Sequence, residues 1–317
     1  MNLLTCEPVN HDHHHHHHDA VSTKLVAGAI ATLLFVFIEI AIGLFANSLA
    51  LVGDALHNFT DSIALLLAFF AVRLERRKPT AEKSYGYHRA GILAAFINAG
   101  TLVGFTVYIF IESIDRLRHP HVVNDRAMLI TAIIAIALNS AISFALRREG
   151  KDDVNVRAAV MHMFGDAVSS VGIVIAALMI HMSGETIWDP AVSMLIGVLI
   201  LWSSWGVLRE TVNLLLEGTP SGIDPDRVTA SLAAIDGVHG VHHLHIWALA
   251  PSRPALSCHL MVGDVPVKTT GKLLDEVNTM LARTYRIAHT TVQFEHANCD
   301  IDDPYCIPYT AKSDTAS

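Results

Sequence analysis

The chain has 317 residues, of which 52% are hydrophobic and only 16% charged, and its mean hydropathy is +0.41. A soluble fold of that composition would lack the polar surface needed to cover its core, so the apolar residues point to a bilayer. The formal net charge of −8, with no basic arm, argues against a nucleic-acid partner, and the four cysteines (Cys6, Cys258, Cys299 and Cys306) are too sparse for a disulfide framework.

The head of the chain is polar and rich in histidine, so a cleavable signal peptide is not expected ahead of the first apolar run. His11 and His13–His18 form a run that is interrupted by Asp12 and followed by Asp19. The run reads as an expression tag or, with no linker or protease site beside it, as a native ion-collecting tail, and the second reading is favoured. Six segments then meet the ~20-residue apolar length of a membrane span. They are Leu25–Ala46, Ser48–Val72, Gly91–Ile111, Ala127–Leu146, Ala158–Met182 and Pro190–Leu208. The short connections Asn47–Ser48 and Ser183–Asp189 force tight antiparallel hairpins.

The loops after the second and fourth segments carry ten Lys and Arg residues, against three on the opposite side (Arg116, Arg118 and Arg126). The richer side is expected to be cytoplasmic, which places both termini inside a multi-pass protein of the plasma (inner) membrane. After Glu217-Gly218-Thr219-Pro220 no run is long enough to span, and acidic residues outnumber basic ones eleven to seven. Asp224 is the expected N-cap of a helix to about Ile235. Val241–Leu249 and Ala255–Val262 read as strands broken at Pro251-Ser252-Arg253-Pro254, Val267–Thr284 as a second helix and His289–Phe294 as a third strand. The expected fold class is a membrane α-helical bundle of six transmembrane helices with a C-terminal α+β, ferredoxin-like cytosolic domain. The expected boundaries are a His-rich tail over 1–21, the membrane domain over 22–216, the cytosolic metal-binding domain over 217–299 and a flexible tail over 300–317.

Two of the apolar segments carry the same polar pattern, His57-x-x-x-Asp61 and His162-x-x-x-Asp166. A spacing of four puts both side chains of a pair on one helix face. Packed together, the two helices would offer two imidazoles and two carboxylates, a four-ligand set suited to Zn2+ whose charge cancels that of the ion. Polar glue between helices is the competing reading, but each Asp at mid-bilayer costs ~2.5–3.5 kcal/mol, and Ser or Asn would serve that purpose more cheaply. Asp54, one turn before His57, either steers ions or protons or hydrogen-bonds a neighbouring helix. Glu39 is read as an interhelical hydrogen-bonding residue, with access to the ion route as the alternative. Gly100 and Gly104 form a GxxxG that signals close helix packing. No His-Glu-x-x-His, Gly-x-Ser-x-Gly or phosphate loop is present, so an enzyme is not expected.

Downstream, His239, His242, His243, His245, Cys258, His259, His289, Glu295, His296, Cys299 and Cys306 make eleven candidate ligands within 68 residues, a density that favours metal over solvated bystanders. Strand alternation from Val241 would place His243 and His245 on one face and His242 on the other. A metal sensor or store, with the membrane part as anchor, is the rival to a transporter.

Residues 47–61 (Asn-Ser-Leu-Ala-Leu-Val-Gly-Asp-Ala-Leu-His-Asn-Phe-Thr-Asp), Tyr85-Gly86-Tyr87-His88-Arg89, the pair His162 and Asp166, and Val241-His242-His243-Leu244-His245-Ile246-Trp247 resemble the cation diffusion facilitator family, and within it the bacterial zinc exporters. The resemblance implies a homodimer that exports Zn2+, and by extension Cd2+, Co2+ or Ni2+, in exchange for protons. It implies a transport site at His57, Asp61, His162 and Asp166, with His57 favouring zinc over cadmium. It also implies a cytosolic zinc site at His242, His259 and Glu295, with His289 as a further ligand. No cofactor is implied, since zinc enters as substrate and as cytosolic ligand. The loop over 73–89 offers Glu82 and His88 but no ligand cluster.

Overall fold

The computed structural model describes residues 16–147 and 154–296. The His run as far as His15, together with Cys6, Cys299, Cys306 and the 300–317 tail, lies outside the described residues. Six long helices come first: α1 His16–Ala46, α2 Leu49–Glu75, α3 Ala90–Arg118, α4 Asp125–Arg147, α5 Val154–Ser183 and α6 Trp188–Leu215. Among the described residues α2 to α6 each contain a stretch long and apolar enough to cross a membrane, and Ile30–Ala46 of α1 is a shorter apolar helix. Side chains such as Phe45, Leu66, Phe144 and Trp202 stand exposed along them. In water that exposure would be costly, whereas against lipid tails it is ordinary. The expected six-helix membrane fold is present, and the helices outrun the expected spans. The third continues from Ile111 to Arg118 and the sixth from Leu208 to Leu215, because hydropathy marks only the lipid-facing stretch and not where the backbone ladder stops.

The described residues form two compact units, one running up to Ile63 and including Thr101–Trp202, the other comprising Ala64–Gly100 and the described residues from Ser203 onward. In the first, Asn47 takes φ 54°, a left-handed conformation that asparagine tolerates, so that α1 turns directly into α2. A Cβ on Gly43 would meet Val52 Cγ2 at 3.0 Å, and one on Gly197 would meet Thr106 Cγ2 at 3.1 Å, so α1 approaches α2 and α6 approaches α3 closely at these glycines. At Gly100 and Gly104 a Cβ would meet nothing within 4 Å among the described residues, so the GxxxG does not mark packing between helices of one chain. The motif supplies smoothness, and a neighbour must also lie on that side.

The start of α2 is held by a fully buried carboxylate from the first turn of α6. Asp189 accepts the Ser48 hydroxyl at 2.6 Å and the N–H groups of Leu49 and Ala50 at 2.7 and 3.2 Å, with Arg116 Nη1 3.8 Å away. Orphan N–H groups at a helix start and the positive end of its dipole both favour an anion there.

In the second unit, α7 Pro225–Ala233, β1 Val238–Ala250, β2 Arg253–Val262, α8 Val267–Tyr285 and β3 His289–Glu295 follow the expected order. Asp224 caps α7 through its carboxylate, which accepts from Asp226 N–H at 3.0 Å. The strands form one sheet in the order β1-β2-β3, antiparallel between the first two and parallel between the last two. Val228, Leu232, Leu244, Ile246, Leu256, Leu260, Val277 and Leu281 build its core. The break between the first two strands is shorter than expected: Arg253 and Pro254 already pair with Ala250 and Ala248.

Candidate metal centres

The structure brings the two intramembrane pairs together. Asp61 Oδ2 lies 3.2 Å from His162 Nε2 across the two helices and 3.6 Å from His57 Nε2 within its own. Asp166 mirrors this, at 3.7 Å from both His57 Nε2 and His162 Nε2. The two imidazole rings meet edge to face with centroids 6.2 Å apart. Ligands ~2.0–2.1 Å from a tetrahedral Zn2+ stand ~3.3–3.4 Å from one another; one of the four approaches, at 3.2 Å, is about that short, and the other three, at 3.6–3.7 Å, are wider. Asp61 Oδ2, Asp166 Oδ2 and His57 Nδ1 are buried without a hydrogen-bond partner among the described residues. Most buried polar atoms in proteins are hydrogen-bonded, and orphaned carboxylate oxygens that face imidazole nitrogens are donors a cation could take up.

The other polar groups on these helices divide. Asp54 is fully buried and accepts the Ser169 hydroxyl at 2.9 Å and the Ser170 hydroxyl at 3.4 Å. Glu39 is also fully buried, and the interhelical hydrogen bond expected of it is not made: neither oxygen has a partner among the described residues. His181 pairs with Asp125 Oδ2 at 2.6 Å.

The cytosolic cluster is built on the sheet. His242 and His259 are directly opposite each other on β1 and β2. Glu295 joins them from β3, with Oε2 3.0 Å from His242 Nε2 and Oε1 2.9 Å from His259 Nδ1. His243 completes the group, although alternation assigns it to the other face. The ladder slips by one residue between His242 and His245, and His243 takes φ 50°. This β-bulge turns its ring onto that of His259, stacked at 4.6 Å. Among the described residues, only His242, His243 and His259 bring three ligand atoms within 4.8 Å of one another. The bulge left a trace in the sequence, because the buried apolar positions Val241, Leu244, Ile246 and Ala248 step by three and then by two.

His289 is not brought to this cluster. It starts β3, four residues before Gln293, the partner of His259, and four strand residues span ~13 Å. Its ring packs edge-on against Tyr85 at 5.5 Å. Cys258 faces the hydrophobic core, where burial pushes its thiol up to about 12, so it offers no thiolate. Burial, with the rings of His243 and His242 adding to it and Glu295 opposing, holds His259 below the ordinary imidazole value, which leaves its lone pair free at neutral pH. Glu82 and His88 form no such cluster.

Residues 25–216 match the cation efflux transmembrane domain, and residues 220–297 match the cytoplasmic domain of cation efflux proteins. The chain is 38% identical to the zinc transporter ZitB of Pectobacterium atrosepticum, over 92% of this chain and 90% of that one. It is 34% identical to the metal cation efflux system protein CzcD of Cupriavidus metallidurans, over 92% of each. Identity is 35% to a cadmium, cobalt and zinc/H(+)-K(+) antiporter of Bacillus velezensis, over 91% of this chain and 92% of that one.

Proposed function

The chain belongs to the cation efflux family and is a multi-pass membrane protein of metal cation efflux, not an enzyme; from that premise we propose that it exports cytosolic Zn2+ in exchange for protons, carrying the ion on His57, Asp61, His162 and Asp166. The observation that carries the reading is the set of four imidazole–carboxylate approaches at 3.2–3.7 Å within apolar spanning helices. Two carboxylates balance a dication, so the loaded site adds no net charge to a medium where charge is expensive. Protons and Zn2+ compete for the same lone pairs. Metal loading from the cytosol therefore displaces protons, and reprotonation on the far side expels the metal. Cd2+, Co2+ and Ni2+ are secondary substrates, since nitrogen and oxygen donors do not exclude them by affinity alone.

The protein works as a homodimer in the inner membrane with both termini in the cytoplasm. Residues 22–216 form the transport domain and 217–299 the cytosolic domain. His242, His243, His259 and Glu295 hold a resident Zn2+ there. The test is zinc uptake by inside-out vesicles with and without an imposed pH gradient. The reading requires uptake that rises when the lumen is acidic, and uptake indifferent to the gradient would refute the exchange.

A further inference from the structure

The transport-site reading leaves Asp54 unused, and its surroundings show what it does. Moving from Asp61 to His57 is a step of four residues along α2, and the facing step from His162 to Asp166 on α5 is also four. Moving on from His57 to Asp54 is a step of three, and Asp166 to Ser169 is again three. Asp54 and its two serines are thus the next rung of one antiparallel register between α2 and α5. This rung differs from the ligand rungs in kind. A carboxylate only accepts, and a hydroxyl reaches each of its two oxygens, at 2.9 and 3.4 Å, so both oxygens are engaged without an ion. The Ser170 hydroxyl is shared with the Asp166 carbonyl oxygen at 3.0 Å, which ties the rung to the backbone of a ligand residue.

We infer that Asp54 is a positioning residue: by clamping Ser169 and Ser170 it fixes the axial register of α2 against α5, and so the distances across the His57, Asp61, His162 and Asp166 set. A helix rises ~1.5 Å per residue, so a slip of one residue would displace a ligand by half of a ~3 Å approach. Geometry errors near 1 Å are enough to cost ~100-fold in activity elsewhere. The inference rests on the transport-site reading above.

The test is a mutant cycle in reconstituted full-length protein, measuring zinc KM, maximal flux and the Cd2+/Zn2+ flux ratio. Asp54→Ala and the pair Ser169→Ala/Ser170→Ala should each raise the zinc KM ~10-fold, change maximal flux less than ~2-fold and shift the Cd2+/Zn2+ ratio. All three changes together should be no worse than either set alone, because both sets break one contact. Asp54→Asn, which keeps one acceptor oxygen and the side-chain shape, should fall between wild type and Asp54→Ala; it also serves if the alanine variant does not fold. Loss of transport in Asp54→Ala with an unaffected serine pair would overturn the inference and make Asp54 a ligand. Additive effects, or no change in KM and metal ratio, would overturn it as well. Asp61→Ala in the same preparation is the reference: if it transports normally, the transport-site reading has failed rather than the register.

Discussion

The membrane and cytosolic clusters use the same donors, imidazole nitrogen and carboxylate oxygen, in different proportions and with different slack. In the membrane two carboxylates face two imidazoles; in the cytosol one carboxylate faces three. A Zn2+ in the first set is charge-balanced, whereas in the second it leaves a net positive charge that only a site near water can bear. The cytosolic rings are drawn together until three ligand atoms lie within 4.8 Å, while the membrane set closes pair by pair and stays wider. A balanced, loosely closed set suits an ion that must enter and leave, and a compact, positively charged set suits one that stays.

The sharpest way to break this contrast is to remove a carboxylate from the membrane. Asp61→Ala or Asp166→Ala should abolish zinc flux in folded, dimeric protein. An uncompensated buried charge costs ~3–5 kcal/mol, equivalent to ~100-fold or more in loading. Near-normal flux in either purified variant would end the assignment.

Next in size is the cytosolic site. His242→Ala with His259→Ala should remove one zinc per protomer by equilibrium dialysis, and His243→Ala alone should weaken that zinc ~10-fold. His289→Ala should leave the stoichiometry intact within one chain, and a lost zinc there would place the ligand set elsewhere.

A smaller effect is expected of His57→Asp, which replaces a nitrogen donor by oxygen and unbalances the charge. Transport should persist while the Cd2+/Zn2+ ratio of initial fluxes rises, because oxygen-rich sites accept larger and less tetrahedral ions. An unchanged ratio with intact zinc flux would mean that His57 does not touch the ion. The smallest effect belongs to Cys258, whose buried thiol at about 12 should resist iodoacetamide at pH 8 in the folded protein. Rapid alkylation there would show that β2 is not packed against its core.

The sequence declared the two sites unequally, for a physical reason. His57, Asp61, His162 and Asp166 sit on helices whose period is rigid, so a spacing of four fixes a face without knowledge of the tertiary fold. Asp54 shares that face, yet nothing local shows that its partners are the two serines 115 and 116 residues away. In the cytosolic domain the alternation argument failed at His243 because a bulge between His242 and His245 inverts the parity of the residues that follow it. The order of elements was legible from their periodicity, while the true lengths of α3 and α6 were not, since helix ends in water leave no hydropathy edge.

The division of labour between the two clusters is tested most directly by zinc flux measured side by side in two variants of the reconstituted full-length protein. One carries Asp166→Ala, and the other carries His242→Ala, His243→Ala and His259→Ala together. Our reading predicts no flux but retained cytosolic zinc in the first, and lost cytosolic zinc with continuing flux at saturating zinc in the second. Flux that survives in the first variant and vanishes in the second would contradict it.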